Sequence, residues 1–256
     1  MRGRTGSEIS DNEQVTCPTG QAPPQLVIFD LDGTLTDSAA GVVASFRHAL
    51  AAVGAEVPDG DLAVLLVGPP MHHTLSGLGL GARVEEAIAA YRADYTARGW
   101  SINAPYDGIE AMLADLRTAG VRLAVATSKA EPVARRILDH FDLARHFDVI
   151  AGASPDGSRA AKADVLAHAL AQLGPVPERV LMVGDRAHDV EGAARHGIET
   201  VVVGWGYGGS DFTSPGVPLP GAPAPLAPTQ LAPAPLAPAP LAFVATVAEL
   251  REVLGV

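Results

Sequence analysis

The sequence is poor in cysteine, in positive charge and in long apolar runs, and each of these scarcities excludes a class of protein. Its one cysteine, Cys17, cannot form an internal disulfide, which favours a reducing, cytoplasmic location. No run approaches the roughly 20 apolar residues that cross a membrane, so we expect no membrane partner. The net charge of −11, from 18 basic and 29 acidic residues, argues against nucleic acid as a partner.

Two segments lack the periodicity of helices and strands. Residues 1–24 contain basic residues but no apolar core, so we expect a flexible tail rather than a secretory signal. Ten of the 21 prolines fall between residues 215 and 240, where Ala-Pro-Leu units repeat. Because proline lacks the backbone donor that helices and central strands need, residues 213–242 are expected to form an extended linker. The alternative interpretation of this composition is a ligand for a proline-recognising module.

The strongest motif follows the tail, in residues 25–38 (QLVIFDLDGTLTDS). Residues 26–29 are continuously apolar and include β-branched side chains, which is typical of a strand buried on both faces. Asp30 and Asp32 follow at alternate positions, and Gly33 and Thr34 stand where the strand must end. The motif therefore predicts two carboxylates at the carboxyl end of a central strand.

This order of a strand followed by Asp30-x-Asp32-Gly33-Thr34 resembles the nucleophile motif of the haloacid dehalogenase-like superfamily. The resemblance implies that Asp30 is the nucleophile and a metal ligand, and that Asp32 is the general acid/base. It also implies that the backbone carbonyl of Asp32 is a second metal ligand and that Gly33 and Thr34 turn the chain sharply beside the substrate. Since two adjacent carboxylates would repel a phosphate, a divalent cation is required, and Mg²⁺ is the expected cofactor.

Two later positions resemble the phosphate-binding motifs of the same superfamily. Thr127 ends a strand predicted over residues 121–126, and the resemblance implies that its hydroxyl and the N–H of Ser128 bind a phosphoryl oxygen. Many relatives have asparagine where Ser128 stands. Lys162 opens a predicted helix, as the lysine of the third motif does, and would steady the charge of the nucleophile and the phosphoryl group. Lys129 is the alternative for this role, and a surface position is the commonest one for any lysine.

Residues 180–193 (VLMVGDRAHDVEGA) predict a strand that ends in Gly184-Asp185, with Asp189 one helical turn further along. They resemble the fourth motif of the superfamily, which implies that Asp185 is a metal ligand and Asp189 a supporting ligand. Ordinary helix caps are the alternative interpretation of the two acids. His188 lies near them in the sequence, but no cysteine or second nearby histidine completes a zinc site, so we expect it on the surface or behind the ligands.

From residue 103 onward helices and strands alternate, which predicts an α/β fold with a doubly wound parallel sheet. Between residues 41 and 103 only helices are predicted, an insertion that resembles the small α-helical cap of the phosphoglycolate phosphatase-like and 5′-nucleotidase-like branches. Helices packed directly on the sheet are the alternative. The expected organisation is a core of residues 25–40 and 104–212, a cap of residues 41–103, and a C-terminal helix over residues 243–256 that returns to the core. A loop over residues 68–74 is expected to face the mouth of the site.

Together these features predict a Mg²⁺-dependent phosphatase that acts on a small phosphorylated metabolite, such as a nucleotide, phosphoglycolate or a sugar phosphate, through an aspartyl-phosphate. The alternatives are a phosphomutase or a haloacid dehalogenase of the same fold and, from a different class, a phospho-accepting receiver-like signalling domain. A dehalogenase has no use for Asp32, and a receiver domain needs neither the cap nor the Asp-x-Asp pair. The sequence specifies neither the physiological substrate nor the oligomeric state.

Overall fold

The computed structural model describes residues 23–68, 71–154, 156–212 and 238–256. The predicted tail lies outside the described residues except for Pro23 and Pro24, and the predicted linker does so except for residues 238–242. No helix in the four described ranges is both long and apolar enough to cross a membrane.

Eight strands form in the described ranges: β1 (Leu26–Phe29), β2 (Thr36–Asp37), β3 (Ala104–Pro105), β4 (Arg122–Ala130), β5 (Val149–Ala153), β6 (Val180–Gly184), β7 (Glu199–Val203) and β8 (Ala242–Val244). Six of them make a parallel sheet in the order β5-β4-β1-β6-β7-β8, and β2 pairs with β3 in a separate antiparallel ladder. Strand β1 lies at the centre, as predicted, because all four of its side chains are apolar and buried.

The helices of the described ranges are α1 (Ala39–Ala52), α2 (Leu62–Leu66), α3 (Met71–Gly77), α4 (Val84–Ala97), α5 (Ile109–Thr118), α6 (Glu131–His140), α7 (Lys162–Leu173), α8 (Ala187–Ala194) and α9 (Val247–Leu254). Helices α5, α6 and α9 pack on one face of the sheet and helices α7 and α8 on the other. Side chains of β1 alternate between the two faces, so Val27 and Phe29 join the first apolar cluster while Leu26 and Ile28 join the second. The predicted α/β fold with helices on both faces is confirmed.

Helices α1 to α4 bury a third apolar cluster of their own, which includes Phe46, Leu66, Leu75 and Ile88. They are inserted between β2 and β3, directly after the first strand of the large sheet. A separate core of this kind is what distinguishes an inserted cap from crossover helices, whose apolar sides face a sheet. We call these four helices the cap; the exact boundaries at residues 41 and 103 stay predictions.

Within the cap, the prediction of a loop over residues 68–74 is wrong from Met71 onward, because α3 begins at that residue. Pro69 and Pro70, which also belong to that predicted loop, lie outside the described residues. The helical segment buries Leu75 in the cap cluster, a contact that the loop assignment overlooked. Met71 and His72 therefore stand on the first turn of a helix rather than in a connection.

At the C-terminus, the predicted helix is present as α9, and Leu250 and Leu254 pack with the first apolar cluster of the sheet. The Thr246 hydroxyl accepts a hydrogen bond from the N–H of Glu249, and the Glu249 carboxylate accepts one from the N–H of Ala245. The prediction missed β8, whose first residue was assigned to the linker. Its three residues extend the sheet by pairing in parallel with β7.

Candidate active site

Asp30 and Asp32 lie at the carboxyl edge of the sheet, immediately beyond β1. Because β1 pairs with β4 on one side and β6 on the other, the residues that follow those strands converge on the same edge. Thr127 of β4 and Asp185 after β6 are both buried there. Three segments that are far apart in the sequence thus meet around the predicted nucleophile.

Gly33 allows the chain after β1 to turn so that it packs closely against Asp185 of the fourth motif. Its φ is +81°, a left-handed conformation that glycine adopts readily, and a Cβ at this position would lie 2.4 Å from Oδ2 of Asp185. Thr34 is buried beside it, and its hydroxyl oxygen has no hydrogen-bond partner among the described residues. A larger residue at position 33 would therefore push Asp185 away from the edge of the sheet.

Lys162 occupies the start of α7 and joins two carboxylates of the site. Its Nζ lies 2.9 Å from Oδ1 of Asp30 and 2.7 Å from Oδ1 of Asp189, and it donates a hydrogen bond of 3.0 Å to the carbonyl of Ala126. The lysine is buried with both acids, so these contacts are little screened by water. The structure thus brings Lys162, rather than Lys129, to the predicted nucleophile.

Asp189 has both of its oxygens in contact with nitrogen donors. Oδ1 faces Lys162, and Oδ2 accepts a 3.0 Å hydrogen bond from the N–H of Arg186. Burial raises the pKa of Asp189 most strongly, but the Lys162 ammonium, His188 and the N–H of Arg186 together hold this pKa below its usual range. The predicted role of Asp189 as a supporting metal ligand stays a prediction, and in the structure the residue acts as a partner for Lys162.

Burial raises the pKa of Asp30, against the opposing effect of Lys162 and with a further increase from Asp189. The pKa of Asp185 is raised as well. Burial, and then the neighbouring charges of Asp189 and Asp30, raise its pKa to about 8. Oδ2 of Asp185 accepts a 2.7 Å hydrogen bond from the N–H of Tyr207, while its Oδ1 is buried without a hydrogen-bond partner among the described residues. A carboxylate in this condition is deficient in positive charge, which is the environment that a divalent cation relieves.

These acids suit a magnesium ion, but Lys162 already occupies one side of the group. Ligand atoms of Asp30, His188 and Asp189 lie within 4.8 Å of one another. The ammonium of Lys162 already contacts Asp30 and Asp189, so a cation on that side would meet a like charge. Asp185 lies outside that group, but its Oδ1 is buried without a hydrogen-bond partner among the described residues. The residues that suit Mg²⁺ are therefore Asp30 and Asp185.

The second lysine of the site is Lys129. The sequence contains only two lysines, and 16 of its 18 basic residues are arginines. Nζ of Lys129 lies 2.8 Å from Oδ2 of Asp32 and donates a 2.8 Å hydrogen bond to the hydroxyl of Tyr95 in α4. Sequence reasoning offered the two lysines as alternatives, whereas each one contacts a different aspartate of the first motif. The scarcity of lysine relative to arginine is the sequence signal that could have indicated a role for both lysines.

Thr127 and Ser128 lie where β4 departs from regular pairing with β5. The Thr127 hydroxyl accepts a 3.2 Å hydrogen bond from the N–H of Lys129, and both Thr127 and Ser128 line the same cavity as Asp30 and Asp32. This irregular end of β4 therefore borders the cavity that contains the carboxylates. The placement agrees with the predicted phosphate-binding role, which stays a prediction.

Three hydrogen bonds at this edge were missed because no pattern in the sequence pairs Arg186 or Tyr207 with its partners. The Arg186 guanidinium donates hydrogen bonds to the carbonyl of Tyr207 at 3.0 Å and to that of Val64, in α2, at 3.4 Å. The hydroxyl of Tyr207 donates to Asp37 at 2.6 Å. Arg186 therefore connects the fourth motif with the cap, and Tyr207 connects it with the end of the first motif.

A cavity of about 440 Å³ opens above Asp30 and Asp32, between the sheet and the cap. Its cap side is formed largely by apolar and aromatic side chains, namely those of Val42, Leu66, Met71, Ile88, Tyr91 and Tyr95. A larger cavity of about 700 Å³ lies at the opposite edge of the sheet, around Arg122 and Arg179, and no aspartate or glutamate of the described residues lines it. The cavity with the aspartates is the one that suits chemistry, although it is the smaller of the two.

Residues 27–203 match the family model described as haloacid dehalogenase-like hydrolase. The chain belongs to this family, which confirms the resemblance noted in the sequence. It is 64% identical over 233 residues to the tyrosine-protein kinase PtkA of Mycobacterium tuberculosis, covering 91% of this chain and 73% of that protein. It is 40% identical over 187 residues to a 5′-nucleotidase of Pseudomonas aeruginosa, covering 72% and 85%. A solved structure from Clostridium acetobutylicum, described as a predicted phosphatase, has a TM-score of 0.74 at 33% identity and covers 90% and 98%.

Proposed function

We propose that this protein is a Mg²⁺-dependent phosphatase that hydrolyses a small phosphomonoester through a phosphoryl group carried on Asp30. The observation that carries this proposal is the division of labour between the two lysines: Lys162 faces Asp30, and Lys129 faces Asp32. The two carboxylates of one motif thus have separate partners, as two separate chemical roles require. More distant relatives named 5′-nucleotidase and phosphoglycolate phosphatase support the same class of reaction.

In the proposed reaction, a carboxylate oxygen of Asp30 attacks phosphorus, and the bond from phosphorus to the leaving oxygen breaks. The leaving oxygen keeps the bonding electrons and receives a proton from Asp32. A water molecule then attacks the phosphorus of the aspartyl-phosphate, gives a proton to Asp32, and releases inorganic phosphate with Asp30 restored. Thr127, the N–H of Ser128 and Lys162 donate to the phosphoryl oxygens throughout both displacements.

Asp30, the backbone carbonyl of Asp32 and Asp185 would hold the magnesium ion. When bound, the ion would neutralise the charge of the carboxylates and of the phosphoryl oxygens. Gly33 and Thr34 shape the turn that brings these groups together, and Gly33 leaves room for Asp185.

The charge deficit at Asp185 leads to a prediction about pH. Its folded-state pKa of about 8 lies above its ordinary value of 3.8, so the folded protein binds this proton more tightly than the unfolded chain does. The free energy of unfolding of the metal-free protein should therefore fall as the pH rises from about 4 to about 8. Asp185→Asn should flatten this decline, and Mg²⁺ at about 100 times its dissociation constant should add about 2.7 kcal/mol to the native protein.

Urea unfolding of both proteins at pH 5 and pH 8, with EDTA or with Mg²⁺, measures these differences. Asp148→Asn is the matched control, because Asp148 pairs with Arg117 and Arg122 far from the site. An identical pH slope in the native protein and Asp185→Asn would contradict the account of Asp185.

The wall of the cavity formed by α3 should select the leaving group. Met71 and His72 line this cavity, whereas His73 does not. The double variant Met71→Ala/His72→Ala should lower kcat/KM for a preferred metabolite about 5- to 30-fold, because roughly 1–2 kcal/mol of apolar contact is lost. Hydrolysis of p-nitrophenyl phosphate should change less than about threefold, with His73→Ala as the control. Equal losses on both substrates would show that α3 does not contact the leaving group.

A second candidate function is transfer of the phosphoryl group to a tyrosine, which the 64% identity to tyrosine-protein kinase PtkA favours. The two functions differ in the acceptor, which is water in a phosphatase and a phenol in a tyrosine kinase. Incubation with γ-labelled ATP separates them, since only a kinase yields labelled phosphotyrosine.

The screen that tests the proposed function measures phosphate release from nucleotides, sugar phosphates and phosphoglycolate, with and without Mg²⁺. We expect steady, Mg²⁺-dependent release from at least one of them, which would also exclude a phosphomutase and a receiver-like domain. Phosphotyrosine formation from ATP with no phosphate release from any monoester would overturn the proposal.

A further inference from the structure

Lys129 connects a carboxylate of the sheet edge with a helix of the cap. Its Nζ lies between Oδ2 of Asp32 and the hydroxyl of Tyr95, at 2.8 Å from each. The side chains of Lys129 and Asp32 are only 9% and 13% exposed, so the contact is largely shielded from water. Every other basic residue of the sequence apart from Lys162 is an arginine. A compact ammonium with three donors is suited to joining two single oxygens, whereas the planar fork of arginine is suited to a bidentate partner.

The contact with Lys129 makes the two oxygens of Asp32 unequal. Oδ2 is taken by the ammonium, while Oδ1 is buried and has no hydrogen-bond partner among the described residues. Asp32 lines the cavity together with Asp30. Lys129 therefore determines which oxygen of Asp32 is held and which stays unpaired at the edge of the cavity.

The cap side of this contact is itself held in place. Tyr95 is buried, and its ring stacks on Tyr91 with the centroids 5.6 Å apart and the planes at 11°. Nζ of Lys129 also lies 4.7 Å from the centroid of the Tyr95 ring, a favourable contact for a cation. Tyr95 therefore fixes the ammonium by its hydroxyl and by its ring, and both depend on the position of α4 against the sheet.

We propose that Lys129 is a positioning residue that orients the Asp32 carboxylate and that is itself held by Tyr95 of the cap. This proposal rests on the proposed function, because it assigns an orientation to the acid of that reaction. It makes the correct orientation of Asp32 depend on α4 being seated on the sheet. A loss of Tyr95 should therefore impair proton transfer at the sheet edge, although Tyr95 belongs to another apolar core.

The kinetic test compares two leaving groups in Tyr95→Phe and Lys129→Met. An alkoxide leaving group, as in a nucleoside 5′-monophosphate, needs the proton of Asp32, whereas p-nitrophenolate needs it far less. Both variants should slow the first displacement on the nucleotide about 10- to 100-fold, the loss expected for a misplaced catalytic group. The same step on p-nitrophenyl phosphate should slow less than about threefold. Rapid-quench measurement of leaving-group release isolates this step from the later attack of water.

Tyr91→Phe is the matched control for Tyr95→Phe. It removes a hydroxyl from the other ring of the stacked pair, and it keeps the hydrogen bond between Tyr95 and Lys129. Any change that it causes in the shape of the cavity should affect the two leaving groups by the same factor. Equal factors for the two leaving groups in Tyr95→Phe as well would overturn the proposal.

A spectroscopic measurement tests the contact without relying on turnover. Because the sequence has two lysines, protein labelled with ¹³C at lysine Cε should give two lysine signals, which Lys129→Met assigns. Tyr95→Phe should shift the Lys129 signal and leave that of Lys162 in place, and Tyr91→Phe should shift neither by a comparable amount. An unmoved Lys129 signal in Tyr95→Phe would overturn the proposal. Failure of the proposed function would appear differently, as absent phosphate release by the native protein with the Lys129 shift intact.

Discussion

Asp30→Asn is expected to abolish turnover, with a loss of at least about 10⁴-fold in kcat, because an amide cannot attack phosphorus as a carboxylate does. The substitution keeps the shape of a side chain that is only 4% exposed, so we expect the fold to be unchanged. Steady-state phosphate release measured under saturating substrate and Mg²⁺ gives the loss directly. Activity near that of the native protein would remove Asp30 from the reaction.

The stability of Asp30→Asn distinguishes lost chemistry from lost structure. Asp30 raises the pKa of Asp185, and Asp189 raises the pKa of both Asp30 and Asp185, so repulsion between carboxylates acts on Asp30 and Asp185 when no metal is bound. Lys162 keeps Asp189 as a partner after the substitution. The metal-free variant should therefore unfold at a temperature no lower than that of the native protein, a common outcome where an active site stores unfavourable charge. A large drop in this temperature would mean that inactivity reflects misfolding.

Lys162→Met is expected to have the second-largest effect, because one side chain supports two buried carboxylates. Removing the ammonium leaves Asp30 and Asp189 without their shared positive partner, which typically costs about 3–5 kcal/mol for a buried ion pair. Activity should fall at least about 10³-fold, because the proposed donor to both the nucleophile and the phosphoryl oxygens is lost. Denaturant unfolding and phosphate release measure the two losses separately.

A double variant separates these two consequences of losing Lys162. Asp189→Asn in the Lys162→Met background removes one of the two unpaired charges and should recover at least about 1 kcal/mol of the lost stability. It should recover no activity, because the phosphoryl oxygens still lack their donor. Recovery of activity together with stability would assign Lys162 a purely structural role.

The central strand and its motif were predictable because their physics is local. Four consecutive apolar residues are typical of a strand covered on both faces. Asp30 and Asp32, which follow directly, then lie at its carboxyl end. Thr127 and Asp185 follow the two strands that flank β1, and their roles were predicted from the resemblance to the superfamily's later motifs rather than from this argument. Parallel strands end at a common edge, and the pairing of β4 and β6 with β1 is what brings these two side chains next to Asp30.

Contacts made between the cap and the sheet were not predictable, since they depend on how α4 and α2 dock. The sequence contains no pattern that pairs Lys129 with Tyr95, or Arg186 with the carbonyl of Val64, across such separations. The short strand β8 was missed for a related reason. Three residues carry almost no periodicity, and their pairing with β7 becomes evident only when the sheet is assembled.

The scarcity of lysine shows how composition can compensate for a missing motif. A lysine is most often a solvated surface residue, and this average made Lys129 a weak alternative to Lys162. In a chain where arginine supplies 16 of 18 basic residues, the average no longer applies. Both lysines contact carboxylates of the first motif, where a compact ammonium fits between single oxygens better than the planar guanidinium of arginine does.

Direct capture of the phosphoryl group is the measurement that tests the central claim, which is that Asp30 carries it. The protein is mixed with a hydrolysed phosphomonoester and Mg²⁺, quenched in acid within milliseconds, digested, and analysed by mass spectrometry before and after hydroxylamine treatment. We predict phosphate on the peptide that contains Asp30, removable by hydroxylamine as an acyl phosphate is, and absent from Asp30→Asn. Phosphate release without any label on Asp30, or a hydroxylamine-resistant label on a tyrosine instead, would contradict the account.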